Sequence, residues 1–160
     1  MNEWTIDWIQ IHILGQLMIA MVLGGLIGLD RELADRPAGL RTHILVAGAS
    51  ALFVSMGDIL VVHFDSSVSH DILRTDPIRL IEAVITGISF LGAGTIIRGS
   101  SDGKIHGLTT AASILVAAGI GVSVAIDQFI LAIGMTMLVL FILRGLHLVE
   151  IKMGSTNRDE

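Results

Sequence analysis

Five apolar runs, separated by short polar stretches, dominate the chain. The runs are apolar all round rather than on one face at a 3.6-residue period, which is typical of helices that lie in lipid. Each is close to the roughly 20 residues that a helix needs to cross a bilayer. We therefore predict five membrane spans, which are placed at about residues 11–29, 42–64, 78–97, 107–125 and 129–146.

Composition supports this prediction. The 160 residues are 52% hydrophobic with a mean hydropathy of +0.79, which is too apolar for an ordinary soluble domain. The N-terminal sequence is acidic where a secretory signal is basic, so the first run is predicted to be retained. We predict an all-α membrane protein, with a bundle of five transmembrane helices in residues 1–150 and a short polar tail at 151–160.

Charge and residue types exclude several function classes. A net charge of −5 argues against a nucleic-acid partner, and the absence of cysteine removes thiolate metal sites and cysteine nucleophiles. The six histidines show no metal-ligand spacing, and most are predicted to lie near membrane interfaces. No serine, histidine and acid fall in a plausible catalytic arrangement, and no cofactor fingerprint occurs. The chain is predicted not to be an enzyme.

The basic residues predict the orientation of the bundle. With five spans, the first and third connections and the C-terminus share one side of the membrane. That side collects eight of the ten basic residues, and Arg74 and Arg79 are on the other. Because cytoplasmic connections are enriched in arginine and lysine, we predict an outer N-terminus and a cytoplasmic C-terminus. Only Asp127 and Gln128 separate the last two spans, which must therefore form an antiparallel hairpin.

The third run carries a carboxylate at membrane depth. Asp76 and Pro77 provide the start signal of a helix, as an N-cap and a proline at the first position. Counted from there, one face carries polar and small residues at steps of 4, 3 and 4 residues, namely Glu82, Thr86, Ser89 and Ala93. We predict that this face points into the bundle rather than at lipid.

A second acid lies at a matching depth. Asp58 is near the outer end of the second span and Glu82 near the outer start of the third, so both are roughly 7 to 9 Å below the same surface. Two facing carboxylates suit a hard divalent cation such as Mg²⁺, and we predict Asp58 and Glu82 as its ligands. In the alternative, each acid pairs with a basic neighbour, Glu82 with Arg79 or Asp58 with His63.

Two further sets of residues are candidates. Charged residues at three helix ends are predicted to meet as a cytoplasmic cluster, unless they are only solvated flanks: Asp30, Arg31, Glu32, Arg41 and Arg98. Gly24 and Gly28 form a GxxxG pair that lets a neighbouring helix approach, although glycine is also common in membrane helices generally. Other predicted helix-packing positions are Gly87, Gly92, Gly94, Thr109, Thr110, Ala117 and Gly121. The two threonines are also predicted either to cap the first turn of the fourth helix or to hydrogen-bond a carbonyl one turn back.

Five short segments together resemble the MgtC/SapB family. They are GLIGLDRE, AGLRT, DPIRL, GISFLGAGTIIR and GLTTAA, in this order between about Gly24 and Gly121. The resemblance implies a bacterial inner-membrane protein, with its N-terminus outside, that is linked to growth when Mg²⁺ is scarce. It also implies a membrane protein partner, since virulence-type members are associated with inhibition of the ATP synthase, whereas direct Mg²⁺ transport has been hard to establish.

By position, the resemblance carries over particular residues. They are Asp30, Arg31 and Glu32; Gly39, Leu40, Arg41 and Thr42; Asp76, Pro77 and Arg79; Gly87, Phe90, Leu91, Gly92, Ala93 and Gly94; and Gly107, Leu108, Thr109, Thr110, Ala111 and Ala112. Three departures stand out. Glu82 replaces an uncharged amide, Leu115 lies where tryptophan is common, and the chain is a short form that stops soon after the fifth span.

Two function hypotheses follow. The first is a divalent-cation transporter or sensor in Mg²⁺ homeostasis, which requires Asp58 and Glu82 to face one another. The second is an interaction protein that modulates another membrane complex without moving ions. It requires small residues on an exposed face, namely Gly24, Gly28, Gly92 and Ala117. The candidate ion is Mg²⁺ or another divalent cation, and a homo-oligomer is compatible with either hypothesis.

Overall fold

A computed structural model describes residues 3–65, 77–98 and 106–156, with side chains for 8–57, 59–60, 78–96 and 106–145. These residues form five helices and no strand. The helices are α1 (Glu3–Leu33), α2 (Leu40–Asp65), α3 (Pro77–Arg98), α4 (Leu108–Ala125) and α5 (Phe129–Thr156). The predicted all-helical chain with five helices is confirmed for the described residues.

The helices extend beyond the apolar runs that predicted them. α1 begins at Glu3 rather than near residue 11, and α5 continues to Thr156, so the first part of the predicted tail is helical. Backbone hydrogen bonding continues into polar flanks, whereas hydropathy marks only the part suited to lipid. Four helices contain a stretch long and apolar enough to cross a membrane, Trp8–Leu33, Leu40–Gly57, Ile78–Ile96 and Leu108–Ala125. α5 contains a shorter apolar stretch, Phe129–Gly145.

α4 is the central helix of the bundle, because it contacts each of the other four. Its sequence is rich in alanine and glycine, which allows several helices to approach it at once. The closest approach is to α2. A Cβ added at Gly121 would meet the carbonyl of Ala47, including its carbon at 3.0 Å. From α1, a Cβ added at Gly24 would lie 2.6 Å from the Cβ of the same Ala47. Ala47 is therefore enclosed between two glycines of neighbouring helices.

α1 and α4 end in the same type of turn. After α1, Arg36 N donates to Arg31 O at 3.0 Å and Asp35 N to Glu32 O at 3.0 Å, with Asp35 in the left-handed region at φ 54°. This is the Schellman motif, in which the reversal satisfies carbonyls at the end of a helix. The hairpin after α4 repeats it, with Asp127 at φ 60°. Aspartate tolerates this conformation better than most residues, so neither turn needs a glycine.

The start of α4 differs from the prediction for its threonines. Its N-cap is Gly107, in the left-handed region at φ 90°, and no side chain caps the helix. Gly107 is required there because an added Cβ would lie 2.7 Å from Thr95 O of α3. Thr110 is instead buried in the bundle and Thr109 is exposed.

Candidate functional site

The polar face of α3 points away from the bundle. Glu82, Thr86, Ser89 and Ala93 are all exposed, so the prediction that this face is turned inward is wrong for the single chain. Only 6% of the Ile78–Ile96 stretch is buried, against 33–50% in the other three stretches of spanning length. The Thr86 and Ser89 hydroxyls donate to carbonyls one turn back, at 2.7 Å each. The carboxylate of Glu82 has no hydrogen bond or ion pair to a described side chain.

The opposite face of α3 lines an apolar groove against α2. The groove encloses about 730 Å³, and Leu80 and Leu91 of α3 lie along it opposite Phe53 and Met56 of α2. Glu82 is about 180° around the helix from Leu91, at 3.6 residues per turn. The orientation of α3 therefore does not turn the Glu82 carboxylate toward α2.

The predicted cation pair remains a prediction. The side chains of Asp58 and His63 lie outside the described residues, so the alternative ion pair between them is not tested. Within the described residues there is no group of three or more acidic, histidine or cysteine side chains that could hold a metal ion. Glu82 and Arg79 are both exposed, and no ion pair between them occurs in the described part of the chain.

A polar cluster lies where α1 ends and α2 and α4 begin, which we term the α1–α2 end. Asp30 Oδ1 accepts from Arg144 Nε of α5 at 2.8 Å. Glu32 Oε2 accepts from the backbone N–H of Leu40 at 2.7 Å and so caps the first turn of α2. An added Cβ at Gly39 would lie 2.7 Å from the same oxygen, which explains the glycine in the AGLRT segment. These contacts join α1 to α2 and to α5.

The other members of the predicted charged cluster are placed differently. Arg31 is buried, with 5% of its surface exposed, and its Nε has no hydrogen-bond partner among the described residues. Arg41 is exposed in the first turn of α2. The side chain of Arg98, at the end of α3, lies outside the described residues. Arg31 and Arg41 thus differ in burial, although Arg31 follows the first apolar run and Arg41 directly precedes the second.

His43 was not predicted as an interior residue, and the structure buries it fully. Its Nδ1 lies 2.9 Å from Gly39 O, and its Nε2 lies 3.0 Å from Ser113 Oγ of α4. A carbonyl can only accept, so Nδ1 carries a proton. Ser113 Oγ in turn lies 2.8 Å from Thr110 O. The available signal was a histidine at the start of the second predicted span, and its proximity to a helix end favoured an interfacial interpretation.

A second polar contact lies where α4 turns into α5. Gln16 of α1 is buried, and its Nε2 donates to Ala125 O at 3.3 Å and to Asp127 Oδ1 at 2.9 Å. His12 Nε2 lies 3.8 Å from the same carboxylate oxygen, with both side chains mostly exposed. Gln16 thus fixes α1 to the α4–α5 hairpin at the end of the bundle opposite His43.

The predicted packing glycines fall into two groups. Gly24, Gly28 and Gly92 are buried between helices: an added Cβ would meet Ala47 at Gly24, Leu40 Cα at Gly28 and Ala111 Cβ at Gly92, at 2.6, 2.8 and 3.3 Å. Ala117 is also fully buried. Gly87 and Gly94 of α3 have no atom within 4 Å of an added Cβ. The four small residues required on an exposed face by the interaction hypothesis are therefore buried within one chain.

Comparison with known proteins places the chain in a family. The sequence profile described as the MgtC family matches residues 17–151. The chain belongs to the MgtC family. The resemblance seen in the five short segments is thereby confirmed, and it covers the helices that build the α1–α2 end and both Schellman turns. No solved structure shows a significant match.

Relatives within the MgtC family are similar over most of this chain. The protein SapB of Bacillus subtilis is 35% identical over 99% of the chain and 65% of its own length. The putative magnesium transporter YhiD of Escherichia coli is 34% identical over 89% of the chain and 64% of its own length. The protein MgtC of Salmonella typhimurium is 39% identical over 78% of the chain and 48% of its own length. The chain thus spans about half to two thirds of these relatives.

Proposed function

We propose that this multi-pass membrane protein acts in magnesium homeostasis in the bacterial inner membrane, and that α3 presents the polar face that deals with the cation. The observation that carries the proposal is the exposure of Glu82 on a helix of spanning length. A carboxylate in lipid costs roughly 2.5 to 3.5 kcal/mol at mid-membrane and less near a helix end. A cation bound to the carboxylate, together with another chain packed against α3, offsets that cost. The name of the YhiD relative, a putative magnesium transporter, supports the choice of ion.

Another chain is part of this proposal because one bundle does not enclose the α3 face. Glu82 lies on the side of α3 opposite the groove to α2. An ion path along Glu82, Thr86 and Ser89 must therefore be enclosed by the surface of another chain. A second copy of the chain supplies a matching face. Asp58 remains the proposed companion of Glu82, either within one chain or across two.

The test is Mg²⁺ flux into liposomes that contain the purified chain and an entrapped Mg²⁺ indicator. We expect flux with the unsubstituted protein and at least a tenfold reduction with Glu82→Gln and with Asp58→Asn, because each removes a ligand charge. Asp35→Asn is the matched control: it removes an exposed acid at the other end of the bundle, and asparagine tolerates the positive φ of 54°. Equal flux in the Glu82 variant and the control would refute the site.

A second candidate function is that of an interaction protein, which binds another membrane complex through α3 and transports no ion. The low burial of the Ile78–Ile96 stretch favours it, since so much free helix surface fits a partner helix. The family resemblance suggests the ATP synthase as the complex. A photo-crosslinker at Phe90, which is 82% exposed on α3, should then join the chain to a membrane subunit of that enzyme. The same crosslinker at Phe141 on α5, 75% exposed, should not.

The proposed orientation places the α1–α2 end in the cytoplasm and the α4–α5 hairpin outside, from the bias of basic residues. Because the chain has no cysteine, single cysteines can be introduced without background. Pro37 and Gln128 are exposed at the two ends. In intact cells, an impermeant maleimide should label a cysteine at 128 and spare one at 37. The reverse pattern would invert the topology.

A further inference from the structure

The Schellman turn after α1 places two arginines at positions that are usually apolar. In this motif the third residue from the helix end and the second residue beyond it commonly make a hydrophobic contact. Here those positions are Arg31 and Arg36, as the hydrogen bond from Arg36 N to Arg31 O shows. The backbone therefore brings two like charges together, and the charge of Arg36 acts repulsively on Arg31.

Within the described residues, no acid is bonded to Arg31. Only 5% of the residue's surface is exposed, and its Nε makes no hydrogen bond to any described residue. Burying a guanidinium without a bonded anion is strongly unfavourable, because water can no longer solvate the charge. The adjacent His43 is also fully buried and hydrogen-bonded to Gly39 and Ser113 rather than to an acid.

The two acids that flank Arg31 in the sequence are already bound to other donors. Asp30 attracts Arg31 through space, but its Oδ1 is hydrogen-bonded to Arg144 at 2.8 Å. Glu32 is committed to the backbone N–H of Leu40 at 2.7 Å. Asp35 is exposed, and no ion pair joins it to Arg31 within the described residues. Among the side chains that the structure describes, neither arginine is paired with an acid, and Arg31 Nε is an unused donor.

We propose that Arg31 and Arg36 together bind a phosphate-type oxyanion at the α1–α2 end. Each guanidinium carries five donors in a planar fork that matches phosphate oxygens in pairs. A tetrahedral phosphate presents at least three oxygens in different directions, so it can accept from both forks at once. Arg31 lies at the end of a spanning-length stretch, which is the depth of lipid headgroups. The phosphate can belong to an anionic phospholipid or be free in solution.

The test uses the purified full chain in lipid-free, uncharged detergent, followed by thermal unfolding measured by circular dichroism. One arm titrates inorganic phosphate against chloride at matched ionic strength, and the other adds phosphatidylglycerol to the micelles. We expect a rise in unfolding temperature that saturates in at least one arm. Saturation with inorganic phosphate identifies a free phosphate as sufficient, and saturation only with phosphatidylglycerol identifies the lipid.

Variants decide whether the two arginines are responsible. Arg36→Gln, at an exposed position, should weaken the apparent affinity about tenfold, as expected for one charge-assisted contact. Arg31→Lys, which keeps the charge and loses the fork, should also weaken it. Arg41→Gln removes another exposed arginine of the same end and should change the affinity less than twofold. The proposal is overturned if neither arm stabilises the unsubstituted protein, or if Arg36→Gln and Arg41→Gln respond alike. Because Arg36 is exposed, its variant keeps the test decisive even if Arg31→Lys fails to fold.

Discussion

The contact between α2 and α4 makes a sharp prediction about Gly121. An alanine there would place its Cβ against the Ala47 carbonyl and 3.1 Å from Ala51 N, both backbone atoms of a buried helix. No side chain can rotate away, so α2 and α4 must separate. Overpacking of this kind costs about 3 kcal/mol, the upper part of the usual range. Gly121→Ala should therefore destabilise the bundle although alanine is the better helix former.

Gly119→Ala provides the matched control. It lies on the same helix two residues away and has no atom within 4 Å of an added Cβ. Any gain in helix propensity, about 1 kcal/mol at most, is shared by both variants. The difference between their unfolding free energies therefore reports the clash, and we expect it to be about 3 kcal/mol. Denaturation by sodium dodecyl sulfate, followed by circular dichroism, measures it. Equal stability of the two variants would show that α2 and α4 do not meet at Gly121.

Three further predictions concern polar contacts. Ser113→Ala should cost about 1 to 3 kcal/mol of unfolding free energy, because it leaves the buried His43 Nε2 without a partner. A double-mutant cycle with His43→Leu tests the pairing, and strictly additive losses of stability would contradict it. Gln16→Leu should cost about 1 kcal/mol by releasing the α4–α5 hairpin, and faster amide exchange in that turn would report the release. Arg144→Gln should lower the unfolding free energy by under about 1 kcal/mol, because the Arg144 side chain of its ion pair with Asp30 is largely exposed. A large loss of stability in the same denaturation assay would show that the pair is shielded from water.

Much of the architecture was predictable because lipid imposes a simple rule. A segment that crosses a bilayer must be apolar and must satisfy its backbone internally, so long apolar runs predict helices directly. Glycines in a GxxxG pair likewise marked the crossing of α1 and α2, since only small residues permit so close an approach. The five family segments were specific enough in combination to identify the MgtC family before any coordinates.

The candidate sites were less predictable, because orientation about a helix axis depends on its neighbours. The polar face of α3 was expected to point inward, yet α3 packs through its apolar face and leaves Glu82 exposed. His43 and Arg31 both lie close to helix ends, where sequence alone favours snorkelling toward water. Their burial comes from α1, α2 and α4 meeting at that end.

Sequence by itself thus determined the helices, their order and the family, since these follow from local hydropathy, turn signals and motif identity. Tertiary structure decided which face of each helix is covered and which polar groups have partners. A one-dimensional pattern gives the relative positions of residues around a helix, but the rotation of that helix against its neighbours is set by packing. That rotation left Glu82 exposed and buried Arg31, whose Nε has no partner among the described residues.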